Sequence, residues 1–179
     1  VGPIAFSPDA DALAIVSGVS LSNYVVQILD GETLEHRSYV DGQHPFALAW
    51  RDTRELLSCS RAGLLSRVDA GSGIRLRSYM ATASDAVRWG SAFTMSEDGR
   101  WAALTGPDEV RLVQMDDVTS TLLEGHGTYV YYVAFTADDA TIVSVDFGGG
   151  CRFWDAYTGR PLGVLLSLIH ISEPTRLRS

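Results

Sequence analysis

Apolar residues in this chain fall into short segments that are separated by polar turns rich in Gly, Asp, Ser and Thr. Several of these segments have the β-branched and apolar composition of strands: Leu13–Ser17, Tyr24–Leu29, Leu56–Ser60, Val110–Met115 and Thr141–Val145. No window of ten or more residues repeats its apolar positions with the 3.6-residue period of a helix. The pattern therefore predicts an all-β protein.

A longer period of about 40 residues is superimposed on these segments. Each repeat has a bulky apolar residue at the end of its proposed inner strand: Phe6, Trp50, Met95 and Phe135. Each repeat also has an aspartate after its proposed third strand: Asp30, Asp69, Asp116 and Asp155. Repeats of this size, each with several short strands, are typical of β-propellers. We expect a partial propeller, an open arc of about four four-stranded antiparallel blades over residues 1–40, 41–80, 81–124 and 125–165.

The fourth repeat carries the most specific motif. Gly125-His126 precedes the inner strand that ends at Phe135, and Trp154-Asp155 closes the third strand. With this spacing, residues 125–155 resemble one WD repeat without a gap. The resemblance implies a propeller blade, in a family whose members dock protein or peptide partners. The earlier repeats have other apolar residues before the aspartate: Leu29-Asp30, Val68-Asp69 and Met115-Asp116.

In the WD-repeat family, buried His, Ser or Thr, Asp and Trp side chains form a hydrogen-bonded chain within the blade. The resemblance implies that His126 bonds towards the second hairpin turn and that Ser144 lies on the second strand. It also implies that Trp154 donates its indole N–H and that Asp155 ends the third strand. Because buried polar groups need partners, a complete chain would fix the geometry of the blade.

The sequence departs from this family pattern at the second hairpin turn. The aspartate expected six residues before Trp154 is replaced by Gly148, and Asp146 lies two positions earlier. Either the network is incomplete, or Asp146 reaches in from a displaced turn. The glycines at 148–150 fit a tight hairpin that needs positive φ. A phosphate-cradling loop is the other interpretation, which the lack of a following helix and of any Lys disfavours.

Charge and composition argue against several classes of partner. The net charge is −8 and all 14 basic residues are arginines, so the chain lacks the positive balance typical of nucleic-acid binding. No apolar run approaches the roughly 20 residues that span a bilayer, and we expect no membrane partner. The absence of Lys indicates a GC-rich coding sequence, which is typical of many bacteria.

No catalytic or metal-binding constellation emerges from the sequence. There is no GxSxG motif, and His126 has a structural assignment. Pairs of aspartates fall where turns are expected and lack calcium-loop spacing: Asp9/Asp11, Asp116/Asp117 and Asp138/Asp139. Cys59 and Cys151 lie in strand-like segments without a CxxC neighbour, so we expect small apolar fillers. We therefore predict no catalytic residue, cofactor or metal.

A partner-binding surface is predicted where one blade connects to the next. Tyr129, Tyr131 and Tyr132 precede the fourth inner strand, and Arg88-Trp89 occupies the corresponding connection of the third. The WD-repeat resemblance implies that this connection lies on the face most used for partners. Tyr, Trp and Arg dominate binding hot spots. Our hypothesis is that Tyr129, Tyr131, Arg88 and Trp89 bind a partner, and the alternative is packing between blades.

The last residues, 166–179, resemble an in-frame translation of a transposase-type sequencing adapter, with a match from Leu166 to Arg176. We expect this tail to be non-native and the fourth blade to be the least complete at its outer edge. On this interpretation the chain is a fragment of a larger protein, and its N-terminus is truncated as well.

The WD-repeat resemblance implies a non-enzymatic scaffold for protein–protein interaction, and the acidic balance and missing catalytic motifs are compatible with it. We expect a location in the cytoplasm, with a fused signalling domain possible outside this sequence. The alternative is the propeller of an enzyme, either a lactonase-like hydrolase or a propeller that gates a peptidase. A hydrolase of this kind would line the central channel with Glu, Asn, Asp or His ligands. The proposed inner strands offer few of them: Ile4–Phe6, Phe46–Trp50 and Val133–Phe135.

Overall fold

The computed structural model describes residues 4–20, 23–42, 45–60, 63–80, 92–117 and 119–166. Within these ranges the chain forms sixteen β-strands and no α-helix. The strands make four four-stranded antiparallel sheets, in each of which neighbours in sequence are neighbours in the sheet. No helix in these ranges has the length and apolarity needed to cross a membrane.

We call the four sheets blades 1 to 4. Blade 1 contains β1 (Ile4–Phe6), β2 (Ala12–Ser20), β3 (Asn23–Asp30) and β4 (His36–Gly42). Blade 2 contains β5 (Pro45–Trp50), β6 (Glu55–Ser60), β7 (Leu64–Asp69) and β8 (Arg75–Met80). Blade 3 contains β9 (Phe93–Met95), β10 (Trp101–Thr105), β11 (Val110–Gln114) and β12 (Ser120–Leu123). Blade 4 contains β13 (Val130–Phe135), β14 (Thr141–Asp146), β15 (Gly150–Asp155) and β16 (Pro161–Leu166).

The turn after the inner strand is built by a hydroxyl side chain in three of the blades. Ser7, Ser96 and Thr136 each accept the backbone N–H five residues ahead, at 2.9 to 3.0 Å. Ser and Thr favour such local bonds to the backbone, which is why they occur in turns. The residue before each of them ends the inner strand, and this agrees with the predicted alignment of the inner strands.

The hydrogen bonds of the turn after the third strand contradict the predicted alignment of the third repeat. In every blade, the last residue of this strand donates its backbone N–H to the carbonyl of the residue five positions later: Asp30, Asp69, Gln114 and Asp155. Gln114, and not Asp116, therefore occupies the aspartate position of blade 3. Its Oε1 accepts the N–H groups of Asp116 and Asp117 at 2.8 and 2.9 Å.

The strand pairing also shows that the third strand of blade 3 was aligned two residues too far along the chain. Trp154 is paired with Ile142 in blade 4, and the corresponding pair in blade 3 is Val113 with Ala102. The predicted match of Met115-Asp116 to Trp154-Asp155 is therefore wrong. Met115 instead donates its N–H to the carbonyl of Arg100 and is fully buried. Met115-Asp116 imitates the apolar-plus-aspartate pattern because the first residue of the turn, Met115, is buried and is followed by an aspartate.

Each apolar core is shared by two consecutive blades. The first joins blades 1 and 2 and includes Ile28 and Leu56. The second joins blades 2 and 3, and the third, which includes Trp154, joins blades 3 and 4. The inner strands β1, β5, β9 and β13 contact one another in succession. The chain is a partial β-propeller, so the predicted all-β fold class is confirmed.

Polar contacts also join consecutive blades. The indole N–H of Trp50 in blade 2 donates to the carbonyl of Ala5 in blade 1 at 2.9 Å. The carboxylate of Asp139 in blade 4 accepts the backbone N–H groups of Glu97 and Asp98 in blade 3 at 3.0 and 3.2 Å. These bonds add direction to packing that is otherwise apolar.

The outer edge of blade 4 differs from the prediction. β16 pairs with β15 from the pair of Leu166 and Gly150 to the pair of Pro161 and Trp154. The outer strand of blade 3, β12, is shorter. The prediction that blade 4 is the least complete at its edge is therefore wrong. Leu166 ends β16, and the rest of the predicted adapter tail lies outside the described residues.

Both cysteines are free thiols. Cys59 is fully buried in the core between blades 2 and 3, and its burial raises the pKa of its thiol far above the ordinary value. Cys151 is half-buried on β15. The position of Cys59 is that of a small apolar side chain.

Candidate functional site

Four polar side chains of blade 4 come together in its interior. His126 lies in the connection before β13, and Trp154 lies on β15. Ser144 and Asp146 are two residues apart on β14, so both point to the same face of the sheet. All four are buried, with at most 9% of the side chain of the histidine or the aspartate exposed. The sequence therefore concentrates polar groups where water is excluded.

These four side chains form one unbroken hydrogen-bonded chain, the blade 4 network. The indole N–H of Trp154 donates to Ser144 Oγ at 2.8 Å. Ser144 Oγ lies 2.7 Å from Nε2 of His126, and Nδ1 of the histidine lies 2.7 Å from Asp146 Oδ2. With the imidazole proton on Nδ1, the histidine accepts from the serine hydroxyl through Nε2 and donates to the carboxylate. The network is complete, with Asp146 supplying the carboxylate.

Asp146 also holds the turn between β14 and β15. Its Oδ1 accepts the N–H of Gly150 at 2.9 Å. Burial alone would raise the pKa of this carboxyl, but the hydrogen bonds from His126 and Gly150 outweigh burial and lower the pKa of Asp146 below its ordinary value. A β-carbon at Gly150 would lie 2.9 Å from Asp146 Oδ2, so the turn needs glycine at this position.

Asp155 lies outside the blade 4 network. Its Oδ1 accepts the N–H groups of Tyr157 and Thr158 and the hydroxyl of Thr158, at 2.7 to 3.1 Å. These bonds, with the Thr158 hydroxyl contributing most, lower the pKa of Asp155. Asp155 therefore stabilises the turn that leads to β16, at the opposite end of β15 from the turn that Asp146 holds.

The blade 4 network fixes two loops that meet at one end of the blade. The connection containing His126 and the turn after Asp146 are joined by two further hydrogen bonds. The N–H of Phe147 donates to the carbonyl of Tyr129 at 3.0 Å, and the N–H of Gly148 donates to Thr128 Oγ1 at 2.9 Å. Both loops are thus tied to each other and to the interior of the blade.

A β-bulge aims one tyrosine away from the core. β13 pairs Val130 with Asp146 and then Tyr132 with Val145, so Tyr131 is the extra residue. Bulges commonly re-aim side chains at functional sites. The prediction that Tyr131 and Tyr132 precede the fourth inner strand is wrong, since both lie within β13.

Three aromatic side chains gather where the two loops meet, and we call them the aromatic cluster: Tyr129, Tyr131 and Phe147. The Tyr131 and Phe147 rings are stacked with centroids 4.8 Å apart, and Tyr129 lies 5.7 Å from Phe147. Phe147 is 70% exposed and Tyr131 is 41% exposed, whereas Tyr129 is half-buried. Arg88 and Trp89, the other predicted members of this surface, lie outside the described residues.

Phe147 is the member of the aromatic cluster that sequence reasoning missed. The available signal is a large apolar residue directly before three glycines, at the tip of a hairpin. Beyond this turn lies an open groove of about 250 Å³, whose lining includes Thr128, Gly148, Arg152 and Val164. The aromatic cluster and this groove flank the same hairpin.

Two observations bear on catalytic or metal chemistry. Both ring nitrogens of His126 are hydrogen-bonded to protein groups, and its side chain is fully buried. This histidine therefore presents neither a base nor a metal ligand to solvent. In the part of the chain that the structure describes, no three His, Cys, Asp or Glu side chains converge to hold a metal ion.

Comparisons with known proteins support the fold. No family model and no curated protein matches the chain at a significant level. Among solved structures, a chain of the crystal structure of the mitotic checkpoint complex is similar, with a TM-score of 0.74 and 20% identity. The match covers 90% of this chain and 51% of that chain, so this chain spans about half the length of its solved neighbour.

Proposed function

We propose that this chain is a WD-repeat-like propeller segment of a non-enzymatic scaffold that docks a protein or peptide partner. The observation that carries the proposal is the stacked and exposed pair of Tyr131 and Phe147. Large aromatic side chains supply much of the binding energy at protein interfaces. The motif spacing of residues 125–155, which resembles a WD repeat, supports the same proposal.

Rigidity makes this aromatic pair suited to binding. A loop that becomes ordered on binding loses conformational entropy, which reduces affinity. Here the loop that contains His126 and the turn that contains Phe147 are joined by two hydrogen bonds and are held to the interior by the blade 4 network. The backbone that carries the rings is thus held before a partner arrives, which reduces the ordering that binding requires.

A random peptide library displayed on phage tests the proposal. The wild-type protein is expected to enrich peptides that carry apolar residues. A variant with both Tyr131→Ser and Phe147→Ser is expected to bind the enriched peptides about 30-fold more weakly, which corresponds to the loss of a hot spot of about 2 kcal/mol. Both side chains are exposed, so the melting temperature should change little.

Tyr157→Ser is the matched control, because Tyr157 is 60% exposed and lies in the turn at the other end of β15. This variant should bind the peptides like the wild type. Equal affinity of the wild type and the double variant would overturn the proposal, and so would failure of the wild type to enrich any peptide.

A further inference from the structure

Arg152 lines the groove on the other side of the hairpin from the aromatic cluster. Its guanidinium packs against the backbone of Gly125, where a β-carbon would lie 2.9 Å from Nη1. Its Nε is buried and, like Nε of Arg111 in blade 3, has no hydrogen-bond acceptor among the described residues. In the same part of the chain, no carboxylate lies within ion-pair distance of this guanidinium. A guanidinium without a carboxylate partner retains the capacity to bind one from outside.

Blade 3 has an arginine at the same position, and there the acidic partner is present. Arg111 is paired with Leu104 on the neighbouring strand, as Arg152 is paired with Ser144 in blade 4. Nη2 of Arg111 lies 3.5 Å from Oε1 of Glu109, two residues earlier in the chain. Blade 3 thus neutralises its arginine with a carboxylate from its own hairpin.

Blade 4 has Gly150 two residues before Arg152, where blade 3 has Glu109. A side chain at position 150 is disfavoured because its β-carbon would contact the carboxylate of Asp146. Asp146 itself lines the groove, but it is occupied by His126 and by the N–H of Gly150. The blade 4 network therefore leaves the charge of Arg152 unmatched, in a chain of net charge −8.

We propose that Arg152 binds the carboxylate of an Asp or Glu side chain in the docked peptide. Guanidinium and carboxylate form the strongest class of hydrogen bond in proteins, with a planar geometry that selects this partner. Val164, 47% exposed, forms an apolar wall of the groove. The aromatic cluster, across the hairpin, contacts an apolar residue of the same peptide. This inference rests on the proposed function, and it names the chemistry of the partner.

The peptide library also tests this inference. Peptides enriched on the wild-type protein are expected to carry Asp or Glu at a fixed position beside the apolar residues. Arg152→Gln should weaken their binding about tenfold or more, because a charge-assisted hydrogen bond is lost. Replacing the peptide acid with Ala should weaken binding to the wild type equally, with no further loss on Arg152→Gln. Arg77→Gln, on the exposed part of β8, is the matched control and should bind like the wild type.

A second measurement does not depend on how well Arg152→Gln folds. In the wild-type protein, the NMR signal of the Arg152 Nε–H group should shift when an enriched peptide is added, and it should not shift with the peptide that carries Ala instead of the acid. The Arg152→Gln spectrum assigns this signal by its loss. An unchanged signal with the acidic peptide would overturn the inference.

The outcomes separate the two proposals. Enriched peptides that need Tyr131 and Phe147 but carry no acid would overturn the role of Arg152 and leave the docking function standing. An acid requirement that persists in Arg152→Gln would do the same. Failure to enrich any peptide would overturn the docking function, and the inference with it.

Discussion

Blades 3 and 4 have the same strand order, and their second and third strands pair in the same register, but the two blades are stabilised by different chemistry. Blade 4 has a hydrogen-bonded chain in its interior, whereas the corresponding positions of blade 3 are apolar or small. Ser144, Asp146 and Trp154 in blade 4 correspond to Leu104, Gly106 and Val113 in blade 3. The comparison shows that the second and third strands keep their register with apolar or small residues at these three positions. The blade 4 network instead fixes the loops at one end, where the aromatic cluster lies.

The largest expected effect on stability comes from truncating Trp154, because blade 3 has the much smaller Val113 at the corresponding position. Trp154→Ala should reduce the free energy of unfolding by about 3–5 kcal/mol, because it leaves a cavity in a fully buried site and removes a donor to Ser144. Val113→Ala, at the matching site, should cost about 2 kcal/mol. Urea denaturation measures both. Equal losses would show that the two sites contribute alike.

A smaller loss of stability is expected from removing the negative charge of Asp146 in the blade 4 network. Asp146→Asn should cost about 1–2 kcal/mol near neutral pH, because a charge-assisted bond to His126 becomes a neutral one. The folded-state pKa of Asp146 lies below the ordinary value of 3.8, so the folded protein releases this proton more readily than the unfolded chain. The contribution is therefore present above about pH 4 and is lost as the pH falls through the folded pKa.

Urea midpoints of the wild type and Asp146→Asn, measured from pH 7 downwards, check this. The difference between them should be constant above pH 4 and should shrink below it. The other aspartates with lowered pKa values are common to both proteins, so their contributions cancel. A difference that does not change with pH would contradict the ionised state of Asp146.

The smallest effect on stability is expected at the turn after the third strand, because blade 3 already has a glutamine where blade 4 has an aspartate. Asp155→Gln gives blade 4 the turn residue of blade 3, where Gln114 accepts two backbone N–H groups. We expect no change in the urea midpoint beyond experimental error. Asp155→Ala, which has no acceptor for the N–H groups of Tyr157 and Thr158, should lower the midpoint measurably. Identical midpoints for the two variants would mean that these bonds contribute nothing.

The inner strands could be predicted from the sequence because a bulky apolar residue ends each of them. The inner strands end at the predicted residues, and each of these pairs with a corresponding residue of the second strand: Phe6, Trp50, Met95 and Phe135. The third strand of blade 3 was placed two residues out of register. Met115 and Asp116 imitate the Trp-Asp pattern, and nothing local reveals that Gln114 accepts the turn amides in place of an aspartate.

The site was predictable only in part. The spacing of Gly125-His126 and Trp154-Asp155 identified the repeat, but hairpin length decides whether Asp146 can reach His126, and the sequence left this open. Phe147 and Arg152 were missed because their significance depends on other residues. Phe147 matters through its stacking on Tyr131. Arg152 is informative only beside Arg111, whose carboxylate partner blade 4 lacks.

The sharing of apolar cores between blades has a consequence for how the chain opens. Each of the three cores belongs to two blades, so unfolding blade 2 or 3 disrupts two cores, whereas unfolding blade 1 or 4 disrupts one. Stability then follows a nearest-neighbour rule, and in a protein made of these residues alone a blade that shares one core opens more easily than a blade that shares two. Amide hydrogen exchange should accordingly be slowest in β6 and β10. The blade 4 network adds polar bonds to a blade that shares one of these cores, so in the same protein we expect blade 1 to open before blade 4.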